Sequence, residues 1–434
     1  MRCFQGKRAL SLVISFVLAL AMLLSFTANS QAYSVLTHEA IVDAMWDTGI
    51  KPLLVKRFGP ATPDQLRKAH AYCYGGAIIQ DMGYYPFGSK LFSDLTHYVR
   101  SGAFVEEMIR QSQDINEYAF ALGSLCHYAA DTTGHPVAVN PSVPMLYPKD
   151  RRYGAAATYE DDPVAHIRTE FGFDVVQVAR GKFASEDYHD FIGFEVSRPL
   201  LERAFKATYG IELKSLFKSL DLALGTYRRS VSTIIPEMTK VAWLNKQDDI
   251  QKLSPGITAQ KYRYTISRSA YEKEWGTQYE KPGLGPRVLS VVLRIMPRVG
   301  PFKALSYKVP TPDAEKLFNK SVESTTVRYR QLLAEVDGGR LKLEEVNFDT
   351  GRPSRIGEYG LADGAYAKLL DILASNKFES VSPDLRDNIL AFFAGGGTNT
   401  AATAKAHSYD SNRTMRQINQ LKAFTAQPVQ TRRQ

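Results

Sequence analysis

The chain has 434 residues, a formal net charge of +9, 44% hydrophobic and 23% charged residues, and three cysteines. That length exceeds one typical domain and supplies a sizeable core. The basic balance favours phosphate-rich partners, but no dense Lys/Arg run marks a dedicated nucleic-acid groove.

Arg2, Lys7 and Arg8 precede an apolar run from Ala9 to Phe26 and the small-residue site Ser30-Gln31-Ala32, the pattern of a cleaved secretory signal over residues 1–32. Cleavage after Ala32 makes Tyr33 the mature terminus of a secreted or periplasmic protein, and cleavage after Ala28 is the lesser variant. An uncleaved run is long enough to anchor the chain in a membrane. Thr37 then reads as the N-cap of a helix carrying Glu39, Ile41, Val42 and Met45. Thr62-Pro63-Asp64-Gln65 is a capping box with proline at the first helical position, opening a helix that runs to about Asp81 and ends at Gly83. Met82 to Gly88 reads as a loop rich in Gly, Pro and Tyr. Ser112 starts a helix through Ala119, Leu122 and Leu125 to Asp131, with Pro136 as its stop, and Asn140 to Tyr153 reads as a second loop. Asp162-Pro163 opens the next helix. Further helices are expected over 191–209 and 213–244, with His189 and Asp190 in a solvated loop.

Past about residue 250 the character of the text changes. The stretch 283–305 carries Arg287, Arg294 and Arg298 on one helical face and reads as a short buried helix with snorkelling arginines, or as a face lying on an anionic membrane. Residues 336–341 read as a hairpin turn and 364–374 as a helix. Residues 395–434 read as a flexible tail. Cys73 and Cys126 read as core thiols, with their pairing left open, and His70 and His407 are not counted as site residues.

Five of the eight histidines, His38, His97, His127, His135 and His166, fall within one window, interleaved with Asp81, Asp131 and Glu170. Imidazole and carboxylate are what Zn²⁺ takes when thiolates are absent. His127 and Asp131, like His166 and Glu170, stand four apart, so on a helix each pair projects from one face. Singly, such pairs are common helix-face accidents, but the ordered set is the inventory of a multinuclear site. An α-amine has a reference pKa of about 8, so a free amine at Tyr33 sheds its proton cheaply and adds a donor beside His38.

Tyr33-Ser-Val-Leu-Thr-His38, Asp81 to His97, His127-Tyr-x-x-Asp131, His135-Pro136 and His166-x-x-x-Glu170 resemble the bacterial zinc-dependent phospholipase C family, whose scaffold is shared with zinc nucleases of single strands. The resemblance covers roughly residues 33–250. It departs from the family in having Tyr33 where Trp is usual and in placing His135 two residues earlier. It implies a mainly all-α, multi-helix bundle with a smaller, mostly helical C-terminal region of unknown role over 251–394. It also implies up to three zinc ions: one held by Asp81, His97, His127 and Asp131, a second by Tyr33, His38 and a bridging Asp131, the third by His135, His166 and Glu170. Asp81 is then a ligand or the catalytic base. The implied activity is phospholipase C acting on phospholipid, with contact to a membrane surface and no protein partner; the His166-x-x-x-Glu170 ending is similar to the lipase branch. The alternative is a single-strand nuclease or 3′-nucleotidase, with Tyr84, Tyr85, Phe87 and Tyr98 as a base clamp. A third reading is a binding protein with structural zinc.

Overall fold

The computed structural model describes residues 35–148, 154–179, 192–235, 306–395 and 409–424. The signal segment, Tyr33, His189, Asp190, the arginine stretch at 283–305 and His407 lie outside them. The described chain is a helical bundle whose only strands are a two-stranded antiparallel hairpin.

At its centre, α1 (Val35–Met45), α2 (Lys51–Phe58) and α3 (Pro63–Ala77) pack around the long α6 (Ile115–Gly134), with α4 (Lys90–Tyr98) and α5 (Ser101–Gln111) between them in sequence. The capping box at Thr62 forms as read: its side chain accepts from Gln65 N, and the Gln65 side chain accepts from Thr62 N. The α3–α6 crossing is close because glycine lines it. A Cβ at Gly76 would sit 1.9 Å from the Phe120 carbonyl oxygen, and one at Gly123 would sit 2.0 Å from that of Cys73. Cys73 and Cys126 are buried free thiols at this crossing.

Several expected boundaries move, each for a local reason. Helix α1 begins at Val35, ahead of Thr37, because Asp174 accepts hydrogen bonds from Leu36 N at 2.9 Å and Thr37 Oγ1 at 2.6 Å and so serves the helix start from another element. Helix α3 stops at Ala77, and Asp81 rides a separate 3₁₀ turn, Ile79–Tyr84. Helix α6 is capped by Asp114, not begun at Ser112, whose hydroxyl donates to Met108 O. Pro136 does not stop it. The chain widens into a π-helical turn, His135–Val139, and continues as α7 (Asn140–Leu146), in the stretch expected to be loop; such widened turns recur at functional sites.

Helix α8 (Pro163–Ala179) starts where Asp162 Oδ1 accepts from Val164 N and Ala165 N. Helix α9 (Arg198–Tyr209) starts later than expected, since Glu195 N donates to Ala71 O before the helix begins. The segment read as one helix from 213 divides into a 3₁₀ turn, Leu213–Leu216, and α10 (Leu220–Arg229), because Phe217 is extended and Ser219 caps a new start.

The C-terminal region is mostly helical and shares the hydrophobic core. Helix α11 (Pro312–Asp337) packs along α6, where Tyr329 donates to Leu122 O at 2.9 Å, and Phe318 stacks on Phe173 of α8 at 4.6 Å. Residues 336–341 hold the helix end at Asp337, its C-cap Gly338 and the turn that leaves it, not a β-hairpin. The hairpin lies further on, pairing β1 (Val346–Asn347) with β2 (Arg352–Pro353). Then follow α12 (Gly360–Ser375), α13 (Pro383–Ala394) and α14 (Ser411–Ala423). Within the stretch read as a largely flexible tail, residues 409–424 carry helix α14: Asp410 caps it, and Ile418 and Leu421 bury its inner face. Among the described residues no helix is long and apolar enough to cross a membrane.

Candidate metal centre

On α6, His127 Nε2 lies 3.1 Å from Asp131 Oδ2, as the four-residue spacing requires. His127 Nδ1 donates to Ala77 O at 2.9 Å, which leaves Nε2 as a bare acceptor facing the pocket. This is how a ligand histidine is oriented. His97, near the end of α4, repeats the device: its Nδ1 donates to Ser93 O at 2.8 Å, and its Nε2 lies 3.2 Å from Asp81 Oδ1, 3.4 Å from His127 Nε2 and 3.6 Å from Asp131 Oδ2.

Asp81 reaches this group because its 3₁₀ turn is pinned from two sides. Gln80 Nε2 donates to Ser124 on α6, and Ser93 Oγ on α4 donates to Gln80 O. His38 comes from the first turns of α1, which Asp174 holds in place. It stacks on His127 at 4.7 Å and sets Nε2 3.5 Å from Asp131 Oδ1. The carboxylate of Asp131 therefore lies between two sets of donors.

The π-helical turn brings His135 toward α8. His166 Nε2 lies 2.8 Å from Glu170 Oε1, and His135 Nε2 lies 3.6 Å from the same oxygen. The shortened Asp131-to-His135 spacing thus still delivers His135 to the third group. All eight residues are at most 1% exposed.

Their electrostatics are those of side chains gathered around a cation. Both carboxylate oxygens of Asp81, Asp131 and Glu170 and both ring nitrogens of His166 are buried without a hydrogen bond; leaving such groups uncompensated is costly. Burial, reinforced for His38 by neighbouring His127, holds His38 and His166 down at about 3, so both are neutral ligands at pH 7. Burial also raises the Asp81 and Glu170 carboxyls. Burial would lower His97 too, but the Asp131 and Asp81 carboxylates facing its Nε2 outweigh it and raise His97 to about 10. Donor atoms of three groups lie close enough to share an ion: Asp81, His97 and His127; His38, His127 and Asp131; His135, His166 and Asp349. Imidazole and carboxylate donors without thiolate fit Zn²⁺ with positions left for water.

Every expected side-chain ligand within the described residues therefore enters one pocket; Tyr33 lies outside them. His70 stays apart, 3.0 Å from Asp43 Oδ1 and stacked on Trp46. Asp349 is the residue the sequence reading missed. It sits at the hairpin tip, its Oδ1 3.0 Å from His135 Nδ1, and no helical periodicity links it to the other ligands.

An all-α scaffold here converges histidines and acids on a dry, thiolate-free nest, a donor set of the kind that catalytic zinc takes. Residues 37–219 match the family model of zinc dependent phospholipase C. All eight converging side chains fall inside the match; Asp349 does not. Neither the curated proteins nor the solved structures gave a match.

Proposed function

We propose that the protein is an exported phospholipase C that splits phospholipid at the glycerol side of the phosphate, leaving diacylglycerol and a phosphorylated headgroup, with three zinc ions in the pocket. The observation that carries this reading is the meeting of five histidines and three acids from four helices, a 3₁₀ turn and a π-helical turn at one buried site. When bound, zinc holds the phosphodiester's non-bridging oxygens, lowers the pKa of a water to about 7 and stabilises the leaving alkoxide.

The chain's own residues divide the work. Asp131 offers an oxygen to His38 on one side and to His97 and His127 on the other, and so bridges two positions. His135, His166 and Glu170 hold the third. Asp81 Oδ1, in a carboxyl whose affinity for a proton burial has raised, orients the attacking water and takes its proton. Removal of residues 1–32 frees the Tyr33 amine to join His38.

The nuclease alternative draws less support from the geometry. Of the residues read as a base clamp, Tyr84, Tyr85 and Tyr98 are buried; Tyr85 packs edge-on to Tyr227, and the Tyr98 hydroxyl donates to Asp349. Incubating the mature protein with phosphatidylcholine micelles and with single-stranded DNA, with and without a chelator, tests the assignment. Chelator-sensitive release of phosphocholine is expected, and turnover of DNA alone would remove it.

A further inference from the structure

The hairpin C-terminal to the family domain reaches into the metal pocket. Its tip, Phe348 to Gly351, is shaped by Asn347, whose side-chain oxygen accepts from Asp349 N and Thr350 N while its carbonyl accepts from Gly351 N. Gly351 has φ +65°, and a Cβ there would lie 2.6 Å from Thr132 O on α6. Phe348 N donates to His97 O, and its ring packs against His97 at 5.1 Å and Tyr128 at 5.5 Å. Asn140 Nδ2 donates to Asp349 O at 2.7 Å. The tip is thereby fixed on four sides, and Asp349 is its one acidic side chain aimed at the pocket.

Both oxygens of Asp349 have work. Oδ1 faces His135 Nδ1 at 3.0 Å, beside the Phe348 carbonyl oxygen of the same hairpin tip at 3.2 Å from that nitrogen; Oδ2 accepts from Tyr98 at 3.0 Å and from Tyr359 in a still shorter contact. His135 Nε2 meanwhile faces Glu170 and His166. An imidazole that donates Nδ1–H to a carboxylate is locked in one ring orientation, and its Nε2 becomes a stronger donor to a metal. The alternative, Asp349 as a direct ligand, would require Oδ1 to give up His135.

We infer that Asp349, braced by Tyr98 and Tyr359, is a positioning residue for His135, so that the third metal position is completed by a segment outside the phospholipase C domain. The inference rests on the three-ion reading above. The parts are a carboxylate–imidazole pair with its own tyrosine supports, all at most 4% exposed, as expected of an outer shell that sets ligand orientation.

The test compares the zinc-loaded full chain with Asp349→Asn, Asp349→Ala, Tyr359→Phe and His166→Ala by chelator competition and by cobalt-substituted absorption spectra. His166→Ala marks which equivalent belongs to the third position. Asp349→Asn, which keeps an acceptor oxygen and the side-chain volume, should weaken that equivalent about 10- to 100-fold. Asp349→Ala should weaken it at least as much and Tyr359→Phe less, while the other two equivalents stay unchanged and one cobalt site alone shifts its spectrum. Should Asp349→Ala fail to fold, the Asn and Phe variants decide. Three equivalents in wild type with unchanged third-site affinity and spectrum in Asp349→Asn would overturn the inference alone. A wild type with fewer than three equivalents, none of them lost in His166→Ala, would overturn the three-ion reading and the inference with it.

Discussion

His97 shows what holds the cluster together at the scale of single residues. Its Nδ1 is committed to Ser93 O, so everything Nε2 can do is directed at Asp81, His127 and Asp131. In the zinc-free protein this gives opposed pH effects. His97, raised to about 10, contributes stability that is complete below the ordinary value of 6.5 and is lost as pH rises through 10. His38 and His166, held by burial at about 3, contribute stability that is complete above 6.5 and is lost as pH falls toward 3. Glu170, raised by burial, offsets part of that acid loss. The urea midpoint of chelated protein should therefore peak near neutral pH and fall on both sides, and zinc uptake at neutral pH should release a proton from His97, read by calorimetry in buffers of different ionisation enthalpy. A flat midpoint from about pH 5 to about 9, with no proton release, would contradict these assignments. The ligands themselves were legible because four-residue spacing on a helix is local information. Asp349 was not, because its partner His135 meets it only through tertiary folding.

Among the elements, local chemistry wrote the helix starts it controls and was silent on those set from a distance. Thr62 and Asp162 cap where their side chains predict. The start of α1 depends on Asp174 in α8, which no window around Thr37 contains. Helix α4 begins at Ser89 without a side-chain cap, so nothing announced the helix that bears His97. Helix α11 did carry a readable signal, Thr311-Pro312, with the Thr311 hydroxyl accepting from Ala314 N. The two glycines at the α3–α6 crossing set how near Asp81's turn comes to His127. Gly123→Ala would drive a methyl against the Cys73 carbonyl, and backbone at such a contact cannot yield as a side chain does. A loss of about 3 kcal/mol or more is expected, the upper range of overpacking, measured by urea unfolding, together with weaker zinc binding. A change within about 0.5 kcal/mol, the range of a neutral surface substitution, would mean that the crossing is not under this constraint.

For the molecule as a whole, the all-α class and the match to a family model over residues 37–219 followed from ordered motifs, while the job of the C-terminal region could not be read. Its helices show only their own amphipathic patterns, and pattern does not say what a face packs against. The structure places α11 along α6 and the hairpin tip beside His97 and His135, so residues far outside the family domain wall the pocket. The central claim is that this pocket gathers zinc. Anomalous diffraction at the zinc edge from zinc-loaded crystals measures it most directly. Three peaks are predicted: one among Asp81, His97 and His127, one between His38 and Asp131, and one at His135, His166 and Glu170. A pocket without an anomalous peak, with zinc bound only at surface side chains, would contradict the account.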